Sequence, residues 1–301
     1  MSVLGKLRDL PNTIRHLLAH PLNRGRPFSA VARFVRWQIG SRLVPGPVAV
    51  PLSGDIHILA APGMPGATGA VYLGLHEYED MAFVLHFLRP GDLFVDVGAN
   101  VGSYTLLAAS TGANCISFEP LPETYRKLVR NIGMNGLMSR VDAVNAGVGS
   151  APGELRFTAD LDTENHVVFG GCEGRVQKVP VTTLDEKVGD RNVSLVKIDV
   201  EGFEAEVIRG AQHLLSTHPP AALIVEANDA SHRYSSDQDS FVGLMRGFGY
   251  RPFDYEPKPR QLVAIPSVSK ISNNTIFCRD PGPIMQVVAA APTRRILGRD
   301  V

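Results

Sequence analysis

The run Phe94-Val95-Asp96-Val97-Gly98-Ala99-Asn100-Val101-Gly102 leaves this chain few folds to choose from. It reads as a short apolar strand entering a glycine turn, with a helix through Tyr104-Thr105-Leu106-Leu107-Ala108-Ala109 behind it and a second strand, Asn114 to Phe118, ending on Glu119. Two glycines let backbone approach a ligand closely, and the free N–H groups of the following helix point at whatever is bound. An acid at the end of the next strand is positioned to accept both hydroxyls of a ribose. The unit therefore predicts a nucleoside site.

The turn narrows the nucleoside. Residues 98–103 read G-A-N-V-G-S, so the middle glycine of a dinucleotide fingerprint is missing, and Gly102 precedes Ser103-Tyr104 where a phosphate loop needs Lys-Ser or Lys-Thr. Asp96, just before the turn, would repel a phosphate and suits the ammonium of an amino acid. Asp96 near a cation and Glu119 on a ribose together describe S-adenosyl-L-methionine. Gly98, Asn100 and Gly102 form the turn, Pro120 and Leu121 are positioned to pack on an adenine face, and Asn145 and Ala146, ending the third strand, are expected at the adenine edge.

Three stretches resemble the FkbM-type methyltransferases in order and spacing: FVDVGANVGSYTLLA (94–108), FEPLPETYRKLVRNI (118–132) and VKIDVEGFEAEVIRGA (196–211). The resemblance covers roughly residues 70 to 280. It implies a class I methyltransferase Rossmann-like α/β fold, a seven-stranded, mostly parallel sheet with one antiparallel strand and helices on both faces. It also implies an acid close to the cofactor where Glu77 falls, and O-methylation of a sugar, glycan, glycolipid or polyketide hydroxyl. A glycosyl hydroxyl is the expected acceptor.

A chain of 301 residues, 44% hydrophobic and 20% charged, can bury a full core. The expected division is a basic helical and hairpin extension over 1–69, the catalytic domain over 70–280, and a loose tail over 281–301. Formal net charge is zero, and no Asn-Pro-Pro-Tyr or Asp-Pro-Pro-Tyr loop follows the fourth strand, so nucleic acid is not the expected partner. Cys115, Cys172 and Cys278 have no metal-ligand spacing and read as free thiols of a reducing cytosol. No apolar run approaches the roughly 18 residues of a membrane span, and the N-terminus has no signal-peptide h-region, which predicts a cytoplasmic protein.

Residues 1–42 carry eight arginines and lysines against one acid, Asp9. Apolar residues at helical spacing, including Phe34, Val35 and Ile39 around Trp37, predict two amphipathic helices. Their stripes dock either on the catalytic domain or on a second subunit of a homodimer; the alternative is an anionic surface, such as the inner face of a membrane or an acidic substrate. A hairpin around Ser53-Gly54 and a Gly/Pro loop at 60–69, read as lid or linker, follow; Tyr72 to Leu88 is expected to be one helix.

The fourth strand, Ser194 to Asp199, and the fifth, Ala221 to Val225 with Glu226 behind it, bring Asp199, Glu201 and Glu226 to the carboxyl edge, where ligands collect in open parallel sheets. Methyl transfer to an alcohol needs a carboxylate or imidazole to take the proton. Asp199, Glu201 and Glu226 are the carboxylate candidates; His57, His76, His166 and His232 are the imidazole candidates. Asp199 and Glu201 could instead hold the donor's amino group or cap the next helix. The three carboxylates could also share Mg²⁺, although no spacing demands a metal and metal-free transfer is the expectation. A nicotinamide oxidoreductase and a non-catalytic nucleoside-binding protein remain as rivals from other classes.

Overall fold

The computed structural model describes residues 10–158, 166–167, 175–226 and 238–301. Helices α1 (Leu10–Ala19) and α2 (Pro27–Leu43), the hairpin β1 (Val48–Ser53) and β2 (Ile56–Ala60), and helices α3 (Pro65–Leu73) and α4 (Tyr78–Phe87) precede the central sheet. The first half of that sheet comes from β3 (Leu93–Val97), α5 (Ser103–Ser110), β4 (Asn114–Phe118), α6 (Pro122–Met134) and β5 (Val141–Val144). A small side sheet of β6 (Gly147–Val148), β7 (Gly153–Thr158) and β8 (Val176–Thr182) follows, then α7 (Leu184–Val188), β9 (Leu195–Ile198), α8 (Glu204–Arg209), α9 (Gln212–Thr217) and β10 (Ala222–Glu226). The chain closes with α10 (Gln238–Gly247), β11 (Arg251–Glu256), β12 (Gln261–Ala264), β13 (Asn274–Cys278), α11 (Pro281–Ala289) and the hairpin β14 (Arg295–Ile296) and β15 (Arg299–Asp300).

The central sheet runs β12-β11-β13-β10-β9-β3-β4-β5. Strands β5, β4, β3, β9 and β10 are parallel, β13 is antiparallel to β10 and to β11, and β12 adds an antiparallel edge. The seven expected strands are therefore present in a class I methyltransferase order, with β12 as an eighth. Strands β3 and β9 are apolar almost throughout because helices cover both faces and leave no wet side. From β3 the chain winds outward through β4 and β5, then returns on the other side of β3 as β9. This switch point opens a crevice beyond the carboxyl ends of β3 and β9.

Three expectations are corrected. The segment from Tyr72 to Leu88 is two helices, because Gly74 takes φ +73 and a Cβ there would lie 2.8 Å from Ile296, so the turn at 74–77 faces His76 and Glu77 into the crevice. The Gly/Pro run is not loop throughout: Pro65 starts α3, and the Ser103 hydroxyl donates to the Gly66 carbonyl at 2.9 Å. Nor is 281–301 loose. Ile284, Val288, Ile296 and Val301 are buried in the main core, the Arg89 guanidinium donates to the Val287 carbonyl, Arg26 to Gly298, and Arg299 to Leu22. The two ends of the described chain are thereby tied together.

Helix α2 docks through Ala30, Phe34 and Trp37, and Arg33 on the same side donates to Asn23 and to the Tyr72 carbonyl of α3. Val35 and Ile39, read with that stripe in the sequence, point outward instead. Cys115 and Cys278 are free and buried, while Cys172 lies outside the described residues. Among the described residues no helix is long and apolar enough to cross a membrane.

Candidate active site

The crevice is a cavity of about 320 Å³, within the range of small-molecule sites. Its floor is the turn after β3. Gly98 (φ 85), Asn100 (φ 50) and Gly102 (φ 96) all take left-handed backbone. A Cβ on Gly98 would lie 1.8 Å from the backbone Asp199 carbonyl oxygen, so close approach requires glycine there; one on Gly102 would lie 2.6 Å from the end of the Leu128 side chain, and there the left-handed backbone is the main demand. Gly98 and Asn100 border the cavity; Gly102 does not, and acts by turning the chain into α5.

Glu119 is buried, and its carboxylate accepts from the Asn100 N–H at 3.1 Å and the Leu121 N–H at 2.9 Å. Burial pushes it up to about 7 despite these two donors. Pro120 and Ala146 border the same end, joined by Leu121, Phe157 and Phe203, which belong to one apolar cluster. Phe157 comes from β7 of the side sheet, which pairs antiparallel with β8, and brings that sheet to the cavity rim. Asn145 does not border the cavity: its amide donates to the Glu119 and Pro120 carbonyls at 2.8 and 2.9 Å and braces the loop carrying the acid.

The opposite end is charged. Register sets Asp96 beside Lys197 on β9 and Ser117 on β4, so the three share one row across the sheet. Thr105 donates to Asp96 at 2.6 Å, and burial still pushes Asp96 up to about 6. The Lys197 ammonium, 2% exposed, donates to Asp199 at 2.6 Å and sits 4.5 Å from the Tyr104 ring centroid. Burial works to discharge Lys197, but the carboxylates of Asp199, Glu77 and Asp96 override it and keep it an ammonium. Burial likewise works to raise Asp199, and Lys197 holds it below the usual range. Glu226 goes the other way: burial and the charges of Asp199 and Glu201 push it well up, and it hydrogen-bonds Asp199.

Glu201 stands at the rim with left-handed backbone, φ 55, a strained setting for a side chain. Glu204 supports that turn by accepting from the Gly202 and Val200 N–H groups. Glu77 borders the cavity and accepts from the Tyr104 hydroxyl at 2.6 Å. Of the histidines, His76 borders the cavity, and burial lowers it so that it is neutral. His57 is half-buried on the β1–β2 hairpin and bonded to the Asp55 carbonyl, His166 pairs its backbone with Thr158, and neither borders the cavity. His232 lies outside the described residues.

The structure thus gathers Glu77, Asp96, Gly98, Asn100, Glu119, Pro120, Ala146, Asp199, Glu201 and Glu226 around one cavity and leaves Gly102 and Asn145 as supports. Lys197, Tyr104 and Phe203 were missed. The signal for Lys197 was a lone lysine in the apolar run Leu195-Val196-Lys197-Ile198, since a charge on a central strand is buried and needs a partner.

Fold and cavity define a Rossmann-like class I methyltransferase. The Methyltransferase FkbM domain matches residues 96–252, a little over half of the 301 residues, and the chain belongs to the FkbM methyltransferase family. The hexuronic acid methyltransferase AglP of Haloferax volcanii is 29% identical over 144 residues, covering 47% of this chain and 59% of AglP. The 31-O-demethyl-FK506 methyltransferase FkbM of Streptomyces tacrolimicus is 27% identical over 217 residues, covering 60% of this chain and 82% of that protein. A crystal structure of a methyltransferase FkbM from Methylobacillus flagellatus KT is similar over 69% of this chain and 53% of that one, at 19% identity and a TM-score of 0.42. The chain spans about six tenths of the length of AglP.

Proposed function

We propose that the protein is an S-adenosyl-L-methionine-dependent O-methyltransferase whose acceptor is a glycosyl hydroxyl. The observation that carries the cofactor reading is the polarity of the cavity. One end offers apolar side chains and the Glu119 carboxylate, which suits an adenosine; the other carries more carboxylates than cations, which suits a sulfonium and an ammonium. When bound, the donor supplies an electrophilic methyl group.

The chain's own residues have three tasks. Glu119 accepts from the ribose hydroxyls, with Leu121 and Ala146 against the adenine. Asp96 and Glu77 balance the cationic amino-acid end. Asp199, kept ionised by Lys197, takes the acceptor's hydroxyl proton, while Glu226, already protonated, cannot compete for it. Asp199→Asn is expected to lower kcat about 100-fold with little change in donor affinity. Lys197→Met removes the cation that holds Asp199 down, so the acid limb of the pH–rate profile should move to higher pH. An unshifted limb would remove Asp199 from the role of base.

Similarity to the hexuronic acid methyltransferase AglP supports a glycosyl acceptor, and similarity to the 31-O-demethyl-FK506 methyltransferase FkbM supports transfer to oxygen. Incubation with methyl-labelled donor and a panel of sugar nucleotides, hexuronic acids and glycans tests the reading: label in a methylated sugar is expected, and label only in polyketide alcohols would replace the acceptor class. S-adenosylhomocysteine at a hundred times its Kd should stabilise the fold by about 2.7 kcal/mol and NADH should not. The reverse pattern would favour an oxidoreductase.

One observation favours a second route. Ligand oxygens of Asp199, Glu201 and Glu226 lie within 4.8 Å of one another, close enough to share a divalent cation. Because the Lys197 ammonium already balances Asp199, turnover is expected to survive dialysis against EDTA. Loss on dialysis and recovery with Mg²⁺ would turn the three carboxylates from proton chemistry to metal ligation.

A further inference from the structure

The outer face of α2 carries an apolar stripe that the described residues leave uncovered. Phe28, Ala32, Val35, Ile39 and Leu43 fall at helical spacing and all are exposed: Phe28 is 89% exposed, Leu43 76%, Ile39 58% and Val35 46%. Isolated exposed apolar residues are ordinary on a protein surface, but a row of them along one helix is not. At about 1.5 Å per residue the stripe runs roughly 22 Å. Its opposite face is fully used, since Ala30, Phe34, Trp37 and Ser41 are buried. The helix therefore has two apolar faces, one of them satisfied.

The charges beside the stripe select its occupant. Arg36 and Arg42 are exposed along it, Arg24 and Arg26 are exposed at its start, and no Asp or Glu occurs from Leu10 to Gly54. A second copy is a poor fit. Antiparallel pairing centred on the stripe would bring Arg36 of one copy against Arg36 of the other, with no acid on the helix to compensate. An anionic lipid surface satisfies both features: the apolar row enters the acyl boundary while the arginines reach back to phosphate oxygens. We infer that α2 is a peripheral docking helix for anionic membrane surfaces, binding in the plane of the headgroups. It packs on α3, whose Gly66 borders the cavity, so the docked helix lies one element from the active site. The inference is independent of the acceptor proposed above.

Co-sedimentation of the full chain with vesicles tests it. The chain should bind phosphatidylglycerol/phosphatidylcholine vesicles at low salt and not pure phosphatidylcholine, and 0.5 M NaCl should weaken partitioning more than about tenfold. The triple variant Phe28→Ser, Ile39→Ser, Leu43→Ser and the pair Arg36→Glu, Arg42→Glu should each lose about tenfold on the same vesicles. All five side chains are solvent-facing, so melting temperatures should not change; Phe28→Ser alone serves if the triple variant is unstable. No binding to anionic vesicles overturns the inference, as does binding that the charge pair abolishes and the apolar variants leave intact. A dimer in sedimentation velocity that the triple variant dissociates would assign the stripe to a second copy instead.

Discussion

Replacing Glu119 with alanine is expected to weaken S-adenosylhomocysteine binding about 10³-fold, read by calorimetry. Hydrogen bonds to a charged group contribute about 1.5–3 kcal/mol each, and the proposed site makes two to the ribose. The backbone N–H groups of Asn100 and Leu121, left without their acceptor, add to the loss. The same carboxylate makes binding pH-dependent. Burial pushes it up to about 7, and it accepts from ribose hydroxyls as the anion, so affinity should fall as pH drops below 7, by up to tenfold per unit. Glu119→Gln should abolish that slope. The stability sign is opposite. The folded value exceeds the ordinary 4.5, so the folded state holds the extra proton between about pH 4.5 and 7, and Glu119's own contribution lowers the stability of the ligand-free protein as pH rises through that window. Unchanged affinity in Glu119→Ala would remove the nucleoside from this end of the cavity.

Gly98→Ala should destabilise the fold by about 4 kcal/mol or more, measured as a fall in the denaturant midpoint at constant slope. Two costs combine. A side chain at φ 85 costs about 1–2 kcal/mol, and the Cβ would lie 1.8 Å from the Asp199 carbonyl oxygen, so backbone must move. The atom it would displace follows β9 directly, which couples the loss to the site: Asp199 cannot keep its 2.6 Å contact with Lys197 if its own backbone shifts. Gly102→Ala should cost less, because its Cβ would meet the end of the Leu128 side chain, which can turn away. Equal stabilities of the two variants would show that the tips of β3 and β9 are not closely packed.

Some features were readable from the residues because they are local. Gly98 and Gly102 announce left-handed backbone, and the apolar runs at 94–97, 195–198 and 222–225 announce strands buried on both faces. Other features resisted. The Pro/Gly content of 60–69 looked like a loop, yet a proline at the first helical position costs nothing and α3 starts on it. Residues 281–301 looked loose because of their prolines and arginines, but Ile284, Val288, Ile296 and Val301 find their partners in the main core. Val35 and Ile39 share a periodicity with Phe34, but periodicity cannot say which side of a helix the rest of the chain will cover.

The order of elements and the glycine–acid pattern of the turn were determined by sequence alone, since backbone sterics and strand burial act within a few residues. Which carboxylate is ionised was decided by tertiary structure. Asp96 and Lys197 are about a hundred residues apart and become neighbours only when β3 pairs with β9, and Asp199 and Glu226 meet only when β10 joins β9. Charge states depend on distance and burial, and those exist only once the sheet is assembled.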